Sequence, residues 1–352
     1  MTDLAFRADL KLATATLDMI ELAVKLASDD GLRPHLGASL IGRPCERELW
    51  YRFRWAKPAS FDGRMLRLFA RGQREEDVMA DLLREAGVKV VQADPNSGEQ
   101  YRFATGHFGG SMDAACVNLP EAPQTWHVVE MKTHGKKSFD ALAAQGVKDA
   151  KPEHWAQMQC YMAWTGMERA LYMAVCKDDD RLHLERIDFD RQAASVLFER
   201  AQRIIEAPEP LPGISERADW YQCKLCDYHA FCHADAAPLP TCRTCAHVTP
   251  IADGHWYCER NSKTLDVAAQ KAACQGHRYI PVLLARFAEA VEADTEGNWI
   301  KYRNKKTGNT FTNGLPPEGF ESSEIHAAQD KAALGDPGVQ GFREVFDARV
   351  AA

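Results

Sequence analysis

The chain has 352 residues, enough for one large domain with an appendage or for two domains. Its hydrophobic share of 45% and charged share of 26% are typical of a globular protein, and no apolar run is long enough to span a bilayer. The formal net charge of −7 argues against a protein that coats nucleic acid over its whole surface. The N-terminus has scattered charges and no signal-peptide pattern, so we expect a cytoplasmic protein in a reducing compartment.

The predicted elements follow one another in the order of a mixed α/β domain. Residues 1–32 form an N-terminal segment whose amphipathic helix ends before Gly31. Helical patterns then occupy residues 39–53, 72–87, 153–166 and 191–207. Strand patterns occupy residues 88–94, 99–105, 109–119 and 125–133, and residues 170–189 are typical of a hairpin that turns at 178–180. A second hairpin is predicted in the tail, turning at residues 305–308.

One segment is strongly basic although the chain is acidic. Residues 33–74 contain ten Lys or Arg and three acids, with Trp50, Tyr51, Phe53 and Trp55 interleaved. This pattern suits phosphate contact combined with base stacking, but it equally suits a solvated helix face with aromatic residues in the core. The candidate DNA contacts are Arg47, Arg52, Arg54, Arg67, Arg71, Arg74, Lys136 and Lys137.

The predicted strand at residues 127–133, HVVEMKT, presents two charged groups together. Because side chains alternate along a strand, Glu130 and Lys132 share one face while Val129 and Met131 face the core on the other. Taken alone, an E-x-K pattern is more typical of an exposed strand face with a charge pair. Its neighbours give it more weight.

Other acids are predicted to converge on this strand. Asp113 ends a GGSMD stretch on the preceding strand, and adjacent antiparallel strands would bring it close to Glu130. Two carboxylates beside Lys132 are a site suited to Mg²⁺ or Mn²⁺, where a metal activates water for attack on phosphorus. Glu76, at the margin of its helix's apolar stripe, is the candidate third acid, and its neighbour Glu75 competes for that role.

The helix that follows carries a polar pair. Gln157 and Tyr161 are four residues apart and therefore lie on one helical face, separate from the apolar stripe. Such a pair facing the acids could hold a phosphate or the attacking water. The alternative is an ordinary polar helix face.

Together these motifs resemble a known family. They are Gly72 to Glu76 (G-x-x-x-E), Gly110 to Asp113 (G-x-x-D), Glu130 and Lys132 (E-x-K), and Gln157 to Tyr161 (Q-x-x-x-Y). In this order they resemble the PD-(D/E)XK nucleases, and more closely the iron–sulfur RecB-like exonuclease branch, which includes the CRISPR-adaptation exonucleases and the AddB nuclease domain. The resemblance implies a restriction-endonuclease-like core, with a central mixed sheet flanked by helices, and a catalytic site at Glu76, Asp113, Glu130, Lys132, Gln157 and Tyr161.

The eleven cysteines divide into three groups. Cys116, Cys160 and Cys176 stand alone and are expected to pack in the core. In a reducing compartment the remaining eight are better metal ligands than disulfide partners. The resemblance implies a [4Fe–4S] cluster held by one early and three late cysteines, which here are Cys45, Cys223, Cys226 and Cys232. Zinc in the same four thiolates is the alternative.

The second set of four is expected to bind structural zinc through a C-x-x-C knuckle and two spaced cysteines. Its members are Cys242, Cys245, Cys258 and Cys274. His247, His255 or His277 could replace one ligand, and a second iron–sulfur cluster is a further alternative.

The predicted organisation has four parts: an N-terminal helix (1–32), a main domain with the nuclease fold and the cluster (33–237), a small four-cysteine C-terminal module (238–284) and a tail (285–352). Residues 237–241, APLPT, are predicted to be a linker between the main domain and the module. Because the main domain holds every catalytic motif and the first cysteine set, we expect it to fold without the rest.

The expected function is a metal-dependent DNA exonuclease or end-processing nuclease. The resemblance implies linear or single-stranded DNA ends as substrate, roles in bacterial or phage recombination, repair or CRISPR-related processing, and a recombination or annealing protein as partner. The alternatives are a structure-specific endonuclease on the same core, a non-catalytic DNA-binding or adaptor protein, and an iron–sulfur redox protein.

Overall fold

The structure is a computed structural model that describes residues 12–29, 31–329 and 337–346. Its helices are α1 (Thr14–Leu26), α2 (Glu46–Phe53), α3 (Gly63–Glu85), α4 (Lys136–Ala150), α5 (Pro152–Thr165), α6 (Arg191–Glu206), α7 (Tyr221–Lys224), α8 (His229–His233), α9 (Val267–Ala272), α10 (Ser322–Ala327) and α11 (Pro337–Phe346). The first eleven residues of the predicted N-terminal helix lie outside the described residues. Among the helices described, none has the length and apolar character needed to cross a membrane.

The strands are named in chain order. They are β1 (Leu36–Gly37), β2 (Lys89–Val91), β3 (Arg102–Thr105), β4 (Phe108–Ser111), β5 (Ala114–Val117), β6 (His127–His134), β7 (Arg169–Cys176), β8 (Leu182–Asp188), β9 (Val248–Pro250), β10 (Trp256–Cys258), β11 (Lys263–Leu265), β12 (Ala288–Asp294), β13 (Trp299–Asn304) and β14 (Thr310–Asn313).

A five-stranded mixed sheet forms the centre of the main domain. Its strand order is β2-β5-β6-β7-β8, and the β6–β7 pair is parallel whereas the other three pairs are antiparallel. The connection between those two parallel strands contains α4 and α5, as a parallel pair requires a long crossover. The predicted hairpin at residues 170–189 is the antiparallel β7–β8 pair. The prediction of a mixed α/β core is therefore confirmed.

Helix α3 covers one face of the sheet. Asp62 caps its first turn by accepting a hydrogen bond from the backbone N–H of Met65, at 2.7 Å. Beyond its C-terminal end Gly87 takes a φ of 86°, a conformation that glycine adopts without steric cost. Met79 and Leu83 of α3 pack in one apolar cluster with alternate residues of β6 and β7, such as Met131. Val129 and Met131 thus face α3, which explains why apolar residues occupy these odd-numbered positions of β6.

Helices α4 and α5 cover the other face. Apolar residues of both helices, among them Phe139, Leu142 and Met158, share a core with Val128 of β6. The even-numbered residues of β6 face this side. Consequently Glu130 and Lys132 lie between the sheet and α5, where Gln157 and Tyr161 also lie.

Three smaller sheets accompany the central one among the described residues. Strands β1, β4 and β3 form one beside the central sheet, β9, β10 and β11 form a second in the C-terminal module, and β12, β13 and β14 form a third in the tail. In the tail, β13 and β14 are an antiparallel hairpin with its turn at residues 305–308.

The core continues from the main domain into the C-terminal module and the tail. Phe53, Trp256, Tyr279 and Phe311 belong to one cluster of buried residues. The segment at residues 237–241 was expected to be a linker, but this expectation is wrong: the backbone N–H of Leu239 donates to the carbonyl of Ala56 at 2.7 Å, and the hydroxyl of Tyr279 donates to the carbonyl of Pro238 at 2.7 Å. Here the chain is held on both sides. The predicted boundaries of the folding units stay a prediction.

Candidate active site

Glu130 and Asp113 meet across the β5–β6 pair. Ala114 lies opposite Val129 in the antiparallel register, which places Asp113 opposite Glu130. Oδ2 of Asp113 accepts a hydrogen bond from the backbone N–H of Met131 at 2.9 Å. This bond fixes the Asp113 carboxylate against β6, on the strand that presents Glu130.

Lys132 joins the two acids. Its Nζ forms an ion pair with Oε1 of Glu130, lies 3.4 Å from Oδ2 of Asp113, and donates to the carbonyl of Met131 at 3.0 Å. The second carboxylate oxygen of Glu130, Oε2, is buried and has no hydrogen-bond partner among the described residues. A buried carboxylate oxygen without a partner is costly, and a bound cation would satisfy it.

Glu76 reaches the same site from α3. One helical turn earlier, a Cβ added at Gly72 would lie 4.0 Å from Oγ1 of Thr133, so this turn of α3 passes next to β6. The charges of Asp113 and Lys132 both act on Glu76. Its competitor Glu75 faces another way and pairs with Arg71 at 3.9 Å. The geometry therefore favours Glu76 as the third acid.

Burial dominates the electrostatics of these groups. Burial raises the pKa of Glu130 to about 8, with Lys132 opposing the shift and Asp113 adding to it. Burial, followed by the charge of Asp113, raises the pKa of Glu76 to about 7. For Lys132, burial lowers the pKa, but the charges of Glu130 and Asp113 outweigh it and hold the pKa above its usual value. When all three carboxylates are ionised, the single positive charge of Lys132 therefore does not neutralise the negative charge of the site.

Tyr161 and Gln157 line the site from α5. The Tyr161 hydroxyl donates to the carbonyl of Ser111 at 2.6 Å and accepts from Nε2 of Gln157 at 3.4 Å. A Cβ added at Gly110 would lie 2.6 Å from this hydroxyl, so only glycine leaves room for it. The G-x-x-D and Q-x-x-x-Y patterns thus meet at the Tyr161 hydroxyl, which lies against Gly110 and Ser111, three and two residues before Asp113.

A buried network beside Glu130 was not predicted. Tyr172 of β7 is the register partner of Glu130, and its hydroxyl lies 2.8 Å from Nε2 of His134 and 2.9 Å from Nδ1 of His154. The sequence does contain a signal for it. His154 precedes Gln157 by three residues, so both lie on one face of α5, and His134 continues the alternation of Glu130 and Lys132 along β6.

The first cysteine set lines one cavity of about 310 Å³. Cys45 is the residue before α2, and Cys223, Cys226 and Cys232 come from the segment that contains α7 and α8. Tyr228 donates its backbone N–H to Sγ of Cys226 at 3.4 Å. The structure thus brings together thiols from the two ends of the main domain.

The second set lines a smaller cavity of about 80 Å³ in the C-terminal module, with His247 and His277 also in its wall. Those two imidazoles have other partners: His247 lies 2.6 Å from Oδ1 of Asn298, and His277 lies 3.2 Å from Oγ1 of Thr244. The four thiols that line this cavity are Cys242, Cys245, Cys258 and Cys274.

In the part of the chain that the structure describes, no group of three or more His, Cys, Asp or Glu side chains is arranged to hold a metal ion as it stands. The donor sets nevertheless suit the expected groups. Two cavities are each lined by four thiols, and Glu130 has a buried oxygen without a partner among the described residues.

The structure corrects part of the predicted DNA interface. Arg54 is 4% exposed, lies over the Trp50 and Trp256 rings and points to backbone carbonyls, so the prediction that it contacts DNA is wrong. The interleaved aromatic residues Trp50, Tyr51, Phe53 and Trp55 are also buried and belong to the core.

Two more candidates are engaged within the protein. Arg47 pairs with Glu216 at 2.9 Å and donates to the carbonyl of Leu211 at 3.0 Å. Arg52 bonds Glu48 and Asp227, at 3.2 and 3.0 Å. Both arginines are half-buried in the wall of the first cysteine cavity or beside it, and their bonds brace α2 against the segment that carries the late cysteines.

The remaining basic candidates lie on the surface. Arg67 pairs with Glu21 of α1, Arg71 donates to the carbonyl of Lys177, and Lys136 pairs with Asp179. The exposed side chains of Arg74 and Lys137 form no ion pair with other described residues. Of the eight basic candidates, Arg74 and Lys137 are therefore the two that are exposed without an ion pair to another described residue.

Comparison with known proteins gives limited similarity. No protein-family model and no curated protein sequence matches the chain. Among solved structures, the chain is similar to the alkaline exonuclease LHK-Exo from Laribacter hongkongensis, with 19% identity and a TM-score of 0.37, over 53% of this chain and 90% of that one. It is similar to SSO0001 with 15% identity and a TM-score of 0.38, over 63% and 97%.

A third similar structure is a phage-related exonuclease from Haemophilus somnus 129PT. It has 16% identity and a TM-score of 0.33, and the match covers 45% of this chain and 77% of that one. At TM-scores of 0.33 to 0.38 such likenesses assign neither a fold nor an activity to the chain. Its function has to come from the geometry of the site.

Proposed function

We propose that the protein is a metal-dependent DNA exonuclease that hydrolyses phosphodiester bonds at the site formed by Glu76, Asp113, Glu130 and Lys132. The observation that carries this proposal is the buried Glu130 carboxylate, whose Oε2 lacks a partner among the described residues although Lys132 and Asp113 lie beside it. In a purely structural ion pair both carboxylate oxygens are usually satisfied. An unsatisfied oxygen among three acids is typical of a site that completes itself by binding a cation.

Asp113, Glu130 and Glu76 would hold Mg²⁺ or Mn²⁺, because hard divalent cations prefer carboxylate oxygens. When bound, such an ion activates water and neutralises charge that develops on the phosphate. Lys132 adds a fixed positive charge at the same place and keeps Glu130 and Asp113 oriented. Gln157 offers amide groups toward a phosphate oxygen or the attacking water, with Tyr161 holding it in position.

DNA is the proposed substrate because exposed basic groups lie on the elements that carry the acids. Arg74 is two residues before Glu76 on α3, and Lys137 lies in the first turn of α4, directly after β6. Because both groups are exposed, they can neutralise backbone phosphates of a DNA strand that extends from the acidic site.

The test is cleavage of DNA by purified protein with Mn²⁺. Asp113→Asn and Lys132→Met should each lower the rate at least ~10²-fold, the usual cost of removing a group that stabilises transition-state charge. Glu76→Gln should lower it as well. The matched control is Glu75→Gln, which changes the neighbouring acid on the same helix and should leave cleavage unaltered.

Linear single-stranded and double-stranded DNA, labelled at one end, should be degraded, while a closed circle should stay intact. Cleavage of the circle would show the endonuclease alternative to be correct. DNA binding without cleavage by the wild-type protein would support an adaptor. Full activity of Lys132→Met would contradict the assignment of this site.

For the first cysteine set we propose a [4Fe–4S] cluster held by Cys45, Cys223, Cys226 and Cys232. Four thiols in one cavity, with a backbone N–H already donated to Cys226, suit such a cluster. Its role would be to join α2 to the end of the main domain. Cys45→Ser should lose iron, visible absorption and thermal stability, whereas Cys116→Ser, which changes an isolated buried cysteine, should keep its iron. Wild-type protein that contains zinc and no iron at this set would contradict the proposal.

For the second set we propose a structural zinc ion held by Cys242, Cys245, Cys258 and Cys274, since four thiols around a small cavity match the usual structural zinc site. Metal analysis of the wild-type protein should give one zinc per chain. Cys258→Ser should lose that zinc and keep the iron. Zinc content unchanged by Cys258→Ser would remove the assignment.

A further inference from the structure

The network around Tyr172 lies next to the acidic site but has no part in the hydrolysis proposed there. Tyr172 is fully buried, and its register partner on β6 is Glu130. Its hydroxyl touches two imidazoles, those of His134 and His154, at 2.8 and 2.9 Å. A tyrosine hydroxyl has a single proton, so it donates to one imidazole and accepts from the other.

Beyond His134 the network continues through Ser138 to Lys151. Its ammonium can only donate, and it donates to Oγ of Ser138 at 2.6 Å. We assign the direction in which the Ser138 hydroxyl, which lies 3.3 Å from Nδ1 of His134, donates its proton to that nitrogen. With this assignment, His134 carries its proton on Nε2 and donates it to Tyr172, and Tyr172 donates to Nδ1 of His154.

This chain of bonds leaves His154 with a defined tautomer. Because Nδ1 accepts, the proton is on Nε2, and burial together with the charge of Lys132 lowers the pKa of His154 to about 3, so the ring is neutral. Within the described residues, Nε2 of His154 has no hydrogen-bond partner. Tyr172 is fully buried whereas His154 is partly exposed, and the N–H on the edge opposite Tyr172 is therefore the one available to a ligand.

The position of His154 on α5 indicates which ligand its Nε2–H would meet. His154, Gln157 and Tyr161 follow one another at intervals of three and four residues and form one stripe of the helix. The other two members line the acidic site. Among its charged neighbours, Lys132 has the largest effect on His154.

We propose that His154 contacts the DNA: its Nε2–H donates a hydrogen bond to a phosphate oxygen next to Lys132, and Tyr172 with His134 fixes the ring for this contact. The inference rests on the proposed nuclease function and adds a substrate contact to it. His154 is thus a substrate-binding residue of the site, and Tyr172 is a positioning residue that acts through it.

Three variants distinguish the contact of His154 with the phosphate from the positioning of His154 by Tyr172. His154→Asn removes the Nε2 donor, while His154→Gln keeps an amide N–H at a comparable distance from the backbone. Tyr172→Phe keeps the ring and removes the hydroxyl that orients His154. We expect His154→Asn to lower kcat/KM about 10- to 100-fold, the range for losing a hydrogen bond to a charged group, and His154→Gln to recover part of this loss.

The double variant His154→Asn with Tyr172→Phe should be little worse than His154→Asn alone, because residues that act through one contact are not additive. His183→Asn is the matched control: this histidine of β8 pairs with Glu185 at 3.1 Å, outside the network. It should behave like the wild-type protein. Independent losses that multiply in the double variant would contradict the positioning role of Tyr172.

A binding experiment tests the contact without cleavage. Linear DNA with a neutral methylphosphonate at each of the terminal linkages in turn is titrated with protein in Ca²⁺. The methylphosphonate at one particular linkage should weaken DNA binding by the wild-type protein. At that linkage the loss of affinity should be about tenfold smaller for His154→Asn, because this variant already lacks the hydrogen bond. Equal losses for both proteins at every linkage would overturn the proposal, even if the protein cleaves DNA. If the wild-type protein binds DNA without cleaving it, and the two proteins still differ in affinity at one linkage, the nuclease function would be contradicted. The contact between His154 and the phosphate would then still be supported.

Discussion

His107 shows how a single buried side chain links the main domain to the C-terminal module. Its Nε2–H donates to the carbonyl of Ile251 at 3.0 Å, and its ring packs against Phe53 and Trp256. Burial, followed by the charge of Arg243, lowers its pKa to about 4. The folded protein therefore holds this imidazole neutral, whereas the unfolded chain protonates it near pH 6.5.

The pH dependence of stability follows from that difference. Between about pH 6.5 and 4 the unfolded chain binds one more proton than the folded one at this residue, so stability falls as the pH falls through this window. Above pH 6.5 the contribution of His107 is complete and constant. The shift corresponds to at most about 3 kcal/mol in the free energy of unfolding.

His107→Gln, which keeps an N–H donor but does not titrate, should flatten this slope. The measurement is urea unfolding at several pH values between 4 and 8, comparing the variant with the wild-type protein. Other buried histidines contribute to the wild-type slope, so the difference between the two proteins is the quantity to compare. A variant with the same slope as the wild-type protein would show that His107 has the same pKa in the folded protein as in the unfolded chain.

Some residues of the site were predictable because a local pattern places them. The two-residue alternation of β6 put Glu130 and Lys132 on one face, and strand pairing brought Asp113 opposite. His154 and Tyr172 were missed because their role depends on three elements meeting in space, namely β6, β7 and the start of α5. The spacings place His134 and His154 on the site-facing sides of β6 and α5, but no spacing shows that Tyr172 of β7 lies between them.

At the scale of elements, α2 and α3 show why a basic segment is a weak predictor. Residues 33–74 include α2 and the first half of α3, but the two helices differ in what covers them. The aromatic side of α2 packs in the core, so the arginines on or next to it are either buried, like Arg54, or paired, like Arg47 and Arg52. α3 covers one face of the sheet, and Arg74 on its outer side stays exposed. Charge counting cannot distinguish these two situations.

The role of the exposed residues Arg74 and Lys137 can be tested through the salt dependence of DNA binding. Arg74→Gln and Lys137→Gln together should weaken binding to unrelated DNA sequences by a similar factor. The slope of log affinity against log salt concentration should flatten by nearly one unit for each phosphate that is no longer neutralised. Arg84→Gln is the control, since Arg84 lies on the same helix but pairs with Asp81 at 2.7 Å. If the slope is unchanged in the double variant, Arg74 and Lys137 do not contact DNA phosphates and are only solvated surface residues.

At the scale of the whole molecule, Arg243 ties the C-terminal module to the main domain. It lies in the turn between Cys242 and Cys245 and is 1% exposed. Its guanidinium donates to the carbonyls of Phe53 and Pro34, at 3.0 and 2.8 Å, and stacks 3.6 Å from the centre of the Trp55 ring. Burial lowers the pKa of Arg243 to about 8. The cysteine knuckle thus inserts a cation into an aromatic pocket of its neighbour.

This packing changes what we expect of a chain that ends at Ala237. The predicted boundary implies that the shortened protein folds, because it keeps every catalytic group and cluster ligand. In the structure the cut removes Arg243 and Trp256 and leaves Phe53 and Trp55 without their cover. Losing large buried side chains costs about 3–5 kcal/mol each, against a total stability of about 5–15 kcal/mol. We therefore expect the shortened chain to be insoluble or to unfold at a much lower temperature.

A point substitution tests the same packing in the full-length protein. Arg243→Met keeps most of the side-chain volume but leaves the carbonyls of Phe53 and Pro34 without their donor. Each unsatisfied buried acceptor costs about 1–3 kcal/mol, so calorimetry should show a clearly lower Tm than for Arg303→Met, a change at an exposed arginine of β13. If Arg243→Met melts like the control and the shortened chain is soluble and cleaves DNA, the main domain folds alone. The module would then be an addition to its surface rather than part of its core.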